Sequence, residues 1–464
     1  MFPRDNHRSI FGFLWGVACV LLHVLSSRCD ADDNPQMQLA VFNAEITPPL
    51  GDGVGVGFMR ETLSVEHPLY ARGVVLRDAG GTYVLCAVDL CGLCNDSYDL
   101  FRKKIAVAAE TIPSRVAVQS LHQHTAPVYD ANARKLLYPD EPQKLALGLQ
   151  FADHSAARIA NAVRKSRKSF QQVTHIGTSK AKVERVASNR RVPQPDGSLL
   201  TRSSSTQDPQ LQAAPEGVID PWLRTVSFYN AGEPIVQLHY FATHPQSFYG
   251  DGRVTWDVPG IALERLQQGT GITQIYFTGC GGNVAMGKYN DGTRAVRASL
   301  VDRLYDAMAR AAKAGGNKQP VTPIRWKTTS VQFPLRSDRP FSVKAQQEIL
   351  ASADSSFGRR LKAAMLMAWI ERVQSGGAVE FSSLAIGDVR LLHLPGEPFV
   401  QFQLAAQRFA PTKFVAVAGY SECAMWYIGE DGIYTDRGGY EQSWAFSGPC
   451  QQLMETTIRD LLSE

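Results

Sequence analysis

The chain has 464 residues, 44% hydrophobic and 20% charged, an ordinary globular balance with length enough for a large buried core. Its 48 basic and 44 acidic residues leave a formal charge of +4. Without a dense basic stripe, nucleic acid is not the expected partner. Along the chain, Arg4 and Arg8 precede an uncharged, largely apolar run over 9–27, followed by small and polar residues. That order describes a secretory signal peptide cut between Ser26 and Ala31. An uncleaved anchor is the competing reading, because the run approaches spanning length. Residues 1–31 are therefore expected to export the chain, and 32–464 to form a single domain.

The Val, Ile and aromatic content predicts strands over 83–90, 114–121, 225–229, 235–241, 274–277, 379–386, 389–394 and 414–418. Helices are predicted over 99–110, 142–166, 293–314, 359–374 and 398–409. In 293–314, Val296, Leu300, Leu304 and Met308 recur every four residues as one apolar stripe. This mixture predicts an α/β (α+β layered) fold of mixed β-sheets flanked by helices. Cys91 and Cys94 form a lone C-x-x-C, read as buried thiols or a local disulfide, since a zinc knuckle needs a second pair. Residues 189–217, rich in Pro, Ser, Gln and Arg, read as a long ordered loop.

Four segments put metal-binding side chains at the ends of strand-like runs. His122 and His124 follow the strand over 114–121, and the period of extended backbone would turn both to one cavity. His244 ends the next such run, where Pro245 stops the ladder. Glu397 follows Pro395-Gly396, at the expected start of the helix over 398–409. Tyr427 lies beyond the strand over 414–418. Taken singly, each has an ordinary explanation. A histidine at a strand end is usually a hydrogen-bonded structural group, a glutamate favours a helix N-terminus, and a tyrosine fills a core. Asp257, before a helix, reads as a cap in preference to a buttress of His244. The segment 288–292 either lines a pocket or makes a surface turn.

Together these segments resemble the neutral/alkaline ceramidases, in the same order over roughly 40–460. The His-x-His-Ser-Gly-Pro segment of that family appears as His122-Gln123-His124-Thr125-Ala126-Pro127, and Asn-Arg-Ser as Asn189-Arg190-Arg191. Phe-Ala-x-His appears as Phe241-Ala242-Thr243-His244, and Pro-Gly-Glu-Phe as Pro395-Gly396-Glu397-Pro398-Phe399. The Tyr-rich stretch runs from Trp426-Tyr427 to Tyr440-Glu441. The resemblance implies the catalytic domain without the family's C-terminal immunoglobulin-like domain. It implies a Zn²⁺ site of His122, His244, Glu397 and Tyr427, with His124, Arg190 and Tyr440 at the scissile group. Zinc suits two imidazoles and a carboxylate with a position left for water, whose pKa it lowers to about 7. His124 would then move a proton, and Arg190 and Tyr440 would stabilise an oxyanion.

The family's Gly-Asp-Val-Ser-Pro motif is altered. Here Asn283, Ala285 and Met286 stand for its Asp, Ser and Pro, so a serine-dependent step is absent while zinc-activated water is unaffected. The turn through Gly282, Asn283 and Ala285 either offers backbone N–H groups to an oxyanion or is a tight turn that needs small residues. Three readings stay open. The first is an exported zinc hydrolase cleaving an amide of an N-acyl, lipid-like molecule, with possible peripheral membrane contact. The second is an esterase using the same site, and the third is a zinc-containing binding protein without catalysis.

Overall fold

The computed structural model describes Met1 and residues 37–51 and 62–463. The segment expected to direct export lies outside the described residues. Three principal sheets of five, five and four strands share one construction. In each, a tight antiparallel hairpin is followed by a helix and then a strand that returns parallel to the second hairpin strand. The first unit is Tyr70–Asp78 and Gly81–Val88, helix Asn95–Ala109, then Val116–Ser120. The second is Trp222–Asn230 and Glu233–Phe241, helix Asp257–Thr270, then Thr273–Thr278. The third is Val379–Ile386 and Val389–His393, helix Val400–Phe409, then Phe414–Ala418. A hairpin needs only a short turn, whereas a parallel return needs a crossover, which here is helical each time.

The carboxyl ends of these parallel pairs meet. Ser120 N–H donates to Tyr420 O at 2.9 Å and Gly419 N–H to Thr278 O at 2.9 Å. Thr278 Oγ1 closes the ring by donating to Leu121 O at 2.7 Å. Each sheet is thus tied to the other two at the strand ends, where open α/β sheets place their ligands. Between the first two sheets lies a core that includes Leu85, Val226, Leu238 and Phe277. Helices Asn95–Ala109 and Pro142–Ser166 cover the outer face of the first sheet. Helices Phe357–Gln374 and Gln451–Leu462 cover the third.

Local chemistry explains most element ends. Helix Arg294–Ala314 starts where Thr293 Oγ1 accepts the Val296 N–H and stops at left-handed Gly315. Its stripe is realised, with Leu300, Leu304 and Met308 buried and Val296 half-buried against the same core. Helix Pro142–Ser166 has the bounds read from the sequence, whereas the first helix begins at Asn95, four residues early. All six described cysteines are free and buried, so Cys91 and Cys94 are thiols and no local disulfide forms. The segment 189–217 is not simply a loop. It starts at the end of strand Ser188–Asn189 and contains strands Arg191–Pro193 and Ser198–Thr201 and helix Pro209–Ala213. It folds around Arg202, whose guanidinium donates to the carbonyls of Asn189, Leu211, Ala214, Pro215 and Glu216. Among the described residues, no helix is long and apolar enough to cross a membrane.

Candidate metal centre and active site

His122 lies just past Val116–Ser120, in left-handed backbone at φ 68°. Its N–H donates to Leu90 O at 2.8 Å. The extended geometry expected for His122 and His124 is therefore not what aligns them; a turn does. His122 Nδ1 donates to Cys91 O at 2.5 Å, which leaves Nε2 a lone pair. His244, past Glu233–Phe241, is fixed alike, with Nδ1 donating to Gly281 O at 2.7 Å. The two Nε2 atoms face each other at 3.0 Å. Glu397 Oε2 completes a triangle, 3.2 Å from His122 Nε2 and 3.1 Å from His244 Nε2. Glu397 does not begin the helix, which starts at Val400. It lies in a two-residue parallel ladder opposite Tyr427.

Three lone pairs thus converge in a buried space, and Glu397 Oε2 has no hydrogen-bond donor. Such a group needs a cation. The edges of 3.0–3.2 Å approach the roughly 3.3 Å that separates ligand atoms about a tetrahedral zinc, so the donor set fits a metal ion. A proton is the alternative. Burial lowers the pKa of His122, but Glu397 and Cys91 outweigh it and raise it to about 10. Burial, reinforced by Arg190, pushes His244 down to about 3. Burial opposes ionisation of Glu397, yet the two imidazoles hold its carboxyl well below the usual range. Cys91, His122 and His124 form a second possible donor group, but it shares His122 with the first.

The remaining site residues surround this triangle. His124 Nε2 is 3.3 Å from His122 Nε2. Its pKa is held well below the ordinary value by burial, then by His122 and His244. The Tyr427 ring lies 6.2 Å from that of His244, and its hydroxyl accepts from Arg190 NH1 at 2.9 Å. Tyr440 also takes a hydrogen bond from Arg190 NH1, and its hydroxyl is 2.7 Å from that of Tyr427. Arg190 NH2 donates to Ser204 Oγ at 2.6 Å and to Gln246 Oε1 at 2.9 Å. A cavity of about 380 Å³ opens over Glu397, His124, Arg190, Tyr427 and Tyr440, with Trp426, Trp444 and Tyr249 as aromatic wall.

Gly282, Asn283 and Ala285 do not line this cavity. Gly282 N–H is spent on Pro398 O at 3.0 Å, the Asn283 side chain on Val400 and Gln401, and Ala285 is buried opposite Ser188 in a short ladder. The tight-turn reading describes them: a Cβ on Gly282 would stand 2.3 Å from Glu397 O. Asp257 serves both of the roles read for it, since its Oδ1 accepts the Val258 N–H at 2.6 Å in the first turn of the helix and its Oδ2 accepts the Ser247 N–H at 2.9 Å, bracing the loop after His244. In the segment 288–292, Asn290 is buried and donates to Ser204 O and Ser247 O. Sequence reasoning passed over Tyr420, stacked on His122 with centroids 4.5 Å apart, and Gln246, Ser204 and Trp444. Tyr420 follows its strand as His122 follows its own, and that parallel was the available signal.

Mixed sheets converging on a buried His–His–Glu group able to hold a metal ion are built here on the fold of the neutral ceramidases. The solved neutral ceramidase from Pseudomonas aeruginosa superposes with a TM-score of 0.65 at 16% sequence identity, over 93% of this chain and 75% of its own. A ceramidase complexed with C2 superposes with the same score and identity, over 92% of this chain and 75% of its own. No protein-family model matches the sequence, and no curated protein does.

Proposed function

We propose that this chain is a zinc-dependent hydrolase that cleaves the amide bond of an N-acyl, lipid-like substrate. The convergence of His122 Nε2, His244 Nε2 and Glu397 Oε2 carries the reading. Those three residues would hold the ion, with the Tyr427 hydroxyl as the fourth donor. Bound zinc supplies Lewis acidity, which lowers the pKa of water and polarises a carbonyl. His124, neutral at pH 7, takes a proton at an imidazole nitrogen and returns it to the leaving amine. Arg190 holds the Tyr427 and Tyr440 hydroxyls with its own charge, so that a phenolic proton is available to an oxyanion. Trp426, Trp444 and Tyr249 give an acyl chain an apolar surface and exclude water. Ala285 lies outside the cavity lining, so its missing hydroxyl takes nothing from this arrangement. The basic and apolar pattern of the first residues supports action outside the cytoplasm.

Metal content of the purified protein tests the reading. About one zinc per chain is expected in the wild type and none in His244→Ala. N-acyl amides and esters of matched chain length are then compared for turnover. Protein that neither carries zinc nor takes it up would overturn the mechanism.

A further inference from the structure

The turn Gly281–Val284 lies outside the cavity lining, yet it touches three site-bearing segments. Its Gly281 carbonyl accepts from His244 Nδ1 at 2.7 Å and its Val284 carbonyl from the His244 N–H at 2.8 Å. Its Asn283 carbonyl accepts the Arg190 N–H at 2.8 Å, and its Gly282 N–H donates to Pro398 O, next to Glu397, at 3.0 Å. The side chain of Asn283 makes the remaining link. Oδ1 accepts the Val400 N–H at 2.9 Å, and Nδ2 donates to Gln401 Oε1 at 2.9 Å. Asn283 is fully buried, so its bond with buried Val400 cannot pass to solvent, while the bond to half-buried Gln401 closes the edge of that space. One short side chain with an acceptor and a donor meets both demands, which asparagine does and aspartate or leucine does not.

We propose that Asn283 is a positioning residue of the metal centre, resting on the metal reading given above. It holds the turn that orients His244 against the segment that carries Glu397, and so fixes the separation of two ligands from different sheets. Its work is done before any substrate arrives, and it touches neither metal nor substrate. The consequence is a set metal affinity and a set coordination geometry. Groups that orient ligands in this way typically contribute about 10- to 100-fold in affinity.

The test uses the full chain, stripped of metal and titrated with Co²⁺ and Zn²⁺ against a chromophoric chelator. The d–d absorption of bound cobalt reports ligand geometry, and the Tm of the metal-free protein is followed in parallel. Asn283→Ala is expected to bind both ions about tenfold or more weakly and to alter the cobalt spectrum. Asn283→Asp, which keeps the acceptor for Val400, is expected to lose less. A lower Tm with unchanged affinity and spectrum would assign Asn283 a merely structural role and overturn the proposal. Should Asn283→Ala not fold, Gln401→Ala removes only the partner of Nδ2. It is expected to weaken binding in the same direction, and unchanged binding overturns the proposal. A wild type that takes up no metal removes the metal reading itself. A wild type that binds with variants that bind equally removes only the role of Asn283.

Discussion

His124 sits 3.3 Å from a candidate ligand nitrogen, and burial with the neighbouring imidazoles keeps it neutral at physiological pH. His122 spends Nδ1 on a carbonyl and Nε2 on the triangle, and so does not carry the proton in the proposed reaction. His124→Ala is therefore expected to keep its zinc while kcat falls about 10²- to 10⁴-fold; loss of zinc together with activity would make it a ligand. The two tyrosines should separate in the same way. Tyr440→Phe is expected to lower kcat with metal content intact, whereas Tyr427→Phe should also weaken metal retention under chelator. Away from the chemistry, Glu422 is buried, and burial outweighs Arg372 to raise its pKa to about 7. The folded chain then binds the proton more tightly than the unfolded chain does. Stability from this group is full below about pH 4.5 and falls as pH rises to about 7. Glu422→Gln keeps an acceptor for the Asn95 and Ala424 N–H groups. It should gain stability over wild type at pH 8 relative to pH 4, on the order of 3 kcal/mol. Equal urea midpoint differences at the two pH values would rule this out.

At the scale of elements, the strand ends carry the site because backbone hydrogen bonding stops there and side chains gain freedom of direction. His244 and Glu397 follow the second hairpin strands of their sheets, while His122 and Tyr420 follow returning strands. Cys91, past the second strand of the first hairpin, and Gly281, past the returning strand of the second unit, supply the carbonyls that fix the two imidazoles. Two of these positions, His122 and Tyr420, are left-handed, as is Trp426 beside the cavity. Such backbone costs of order 1–3 kcal/mol each and persists where packing dictates it. Gly282 meets a constraint of another kind, because a Cβ there would stand 2.3 Å from the Glu397 backbone carbonyl, which cannot swing aside as a side chain could. Gly282→Ala is expected to cost about 1–3 kcal/mol and to weaken metal binding, read by denaturation and by equilibrium dialysis. A variant equal to wild type in both would mean that the turn and the Glu397 segment separate freely.

For the whole molecule, the candidate ligands come from all three sheets, so a bound ion adds a cross-link to the ring that Ser120, Thr278 and Gly419 already close. Zinc at 1,000 times its Kd should stabilise the fold by about 4 kcal/mol. A rise in Tm with zinc, reversed by chelator and missing in His244→Ala, is the expected outcome. A Tm indifferent to zinc in wild type would place the binding energy outside the fold. Much of this was legible in the sequence. The spacing of Leu300, Leu304 and Met308 marked a helix, because burying one face of a helix imposes a period of nearly four. The strand ends at His122, His244 and Glu397 were marked by proline, by glycine and by the change of hydrophobic pattern. Lone-pair direction was not legible, because the tautomer of each histidine depends on a carbonyl far away in the chain, Cys91 for His122 and Gly281 for His244. Nor could the sequence separate a turn that faces a cavity from one that binds two segments together, which is why Gly282, Asn283 and Ala285 read as candidates for the cavity. Local residue order determined which side chains stand at the ends of strands. Which of those ends meet, and at what distance, was decided by the packing of three sheets against one another, a matter of contacts between residues more than a hundred positions apart.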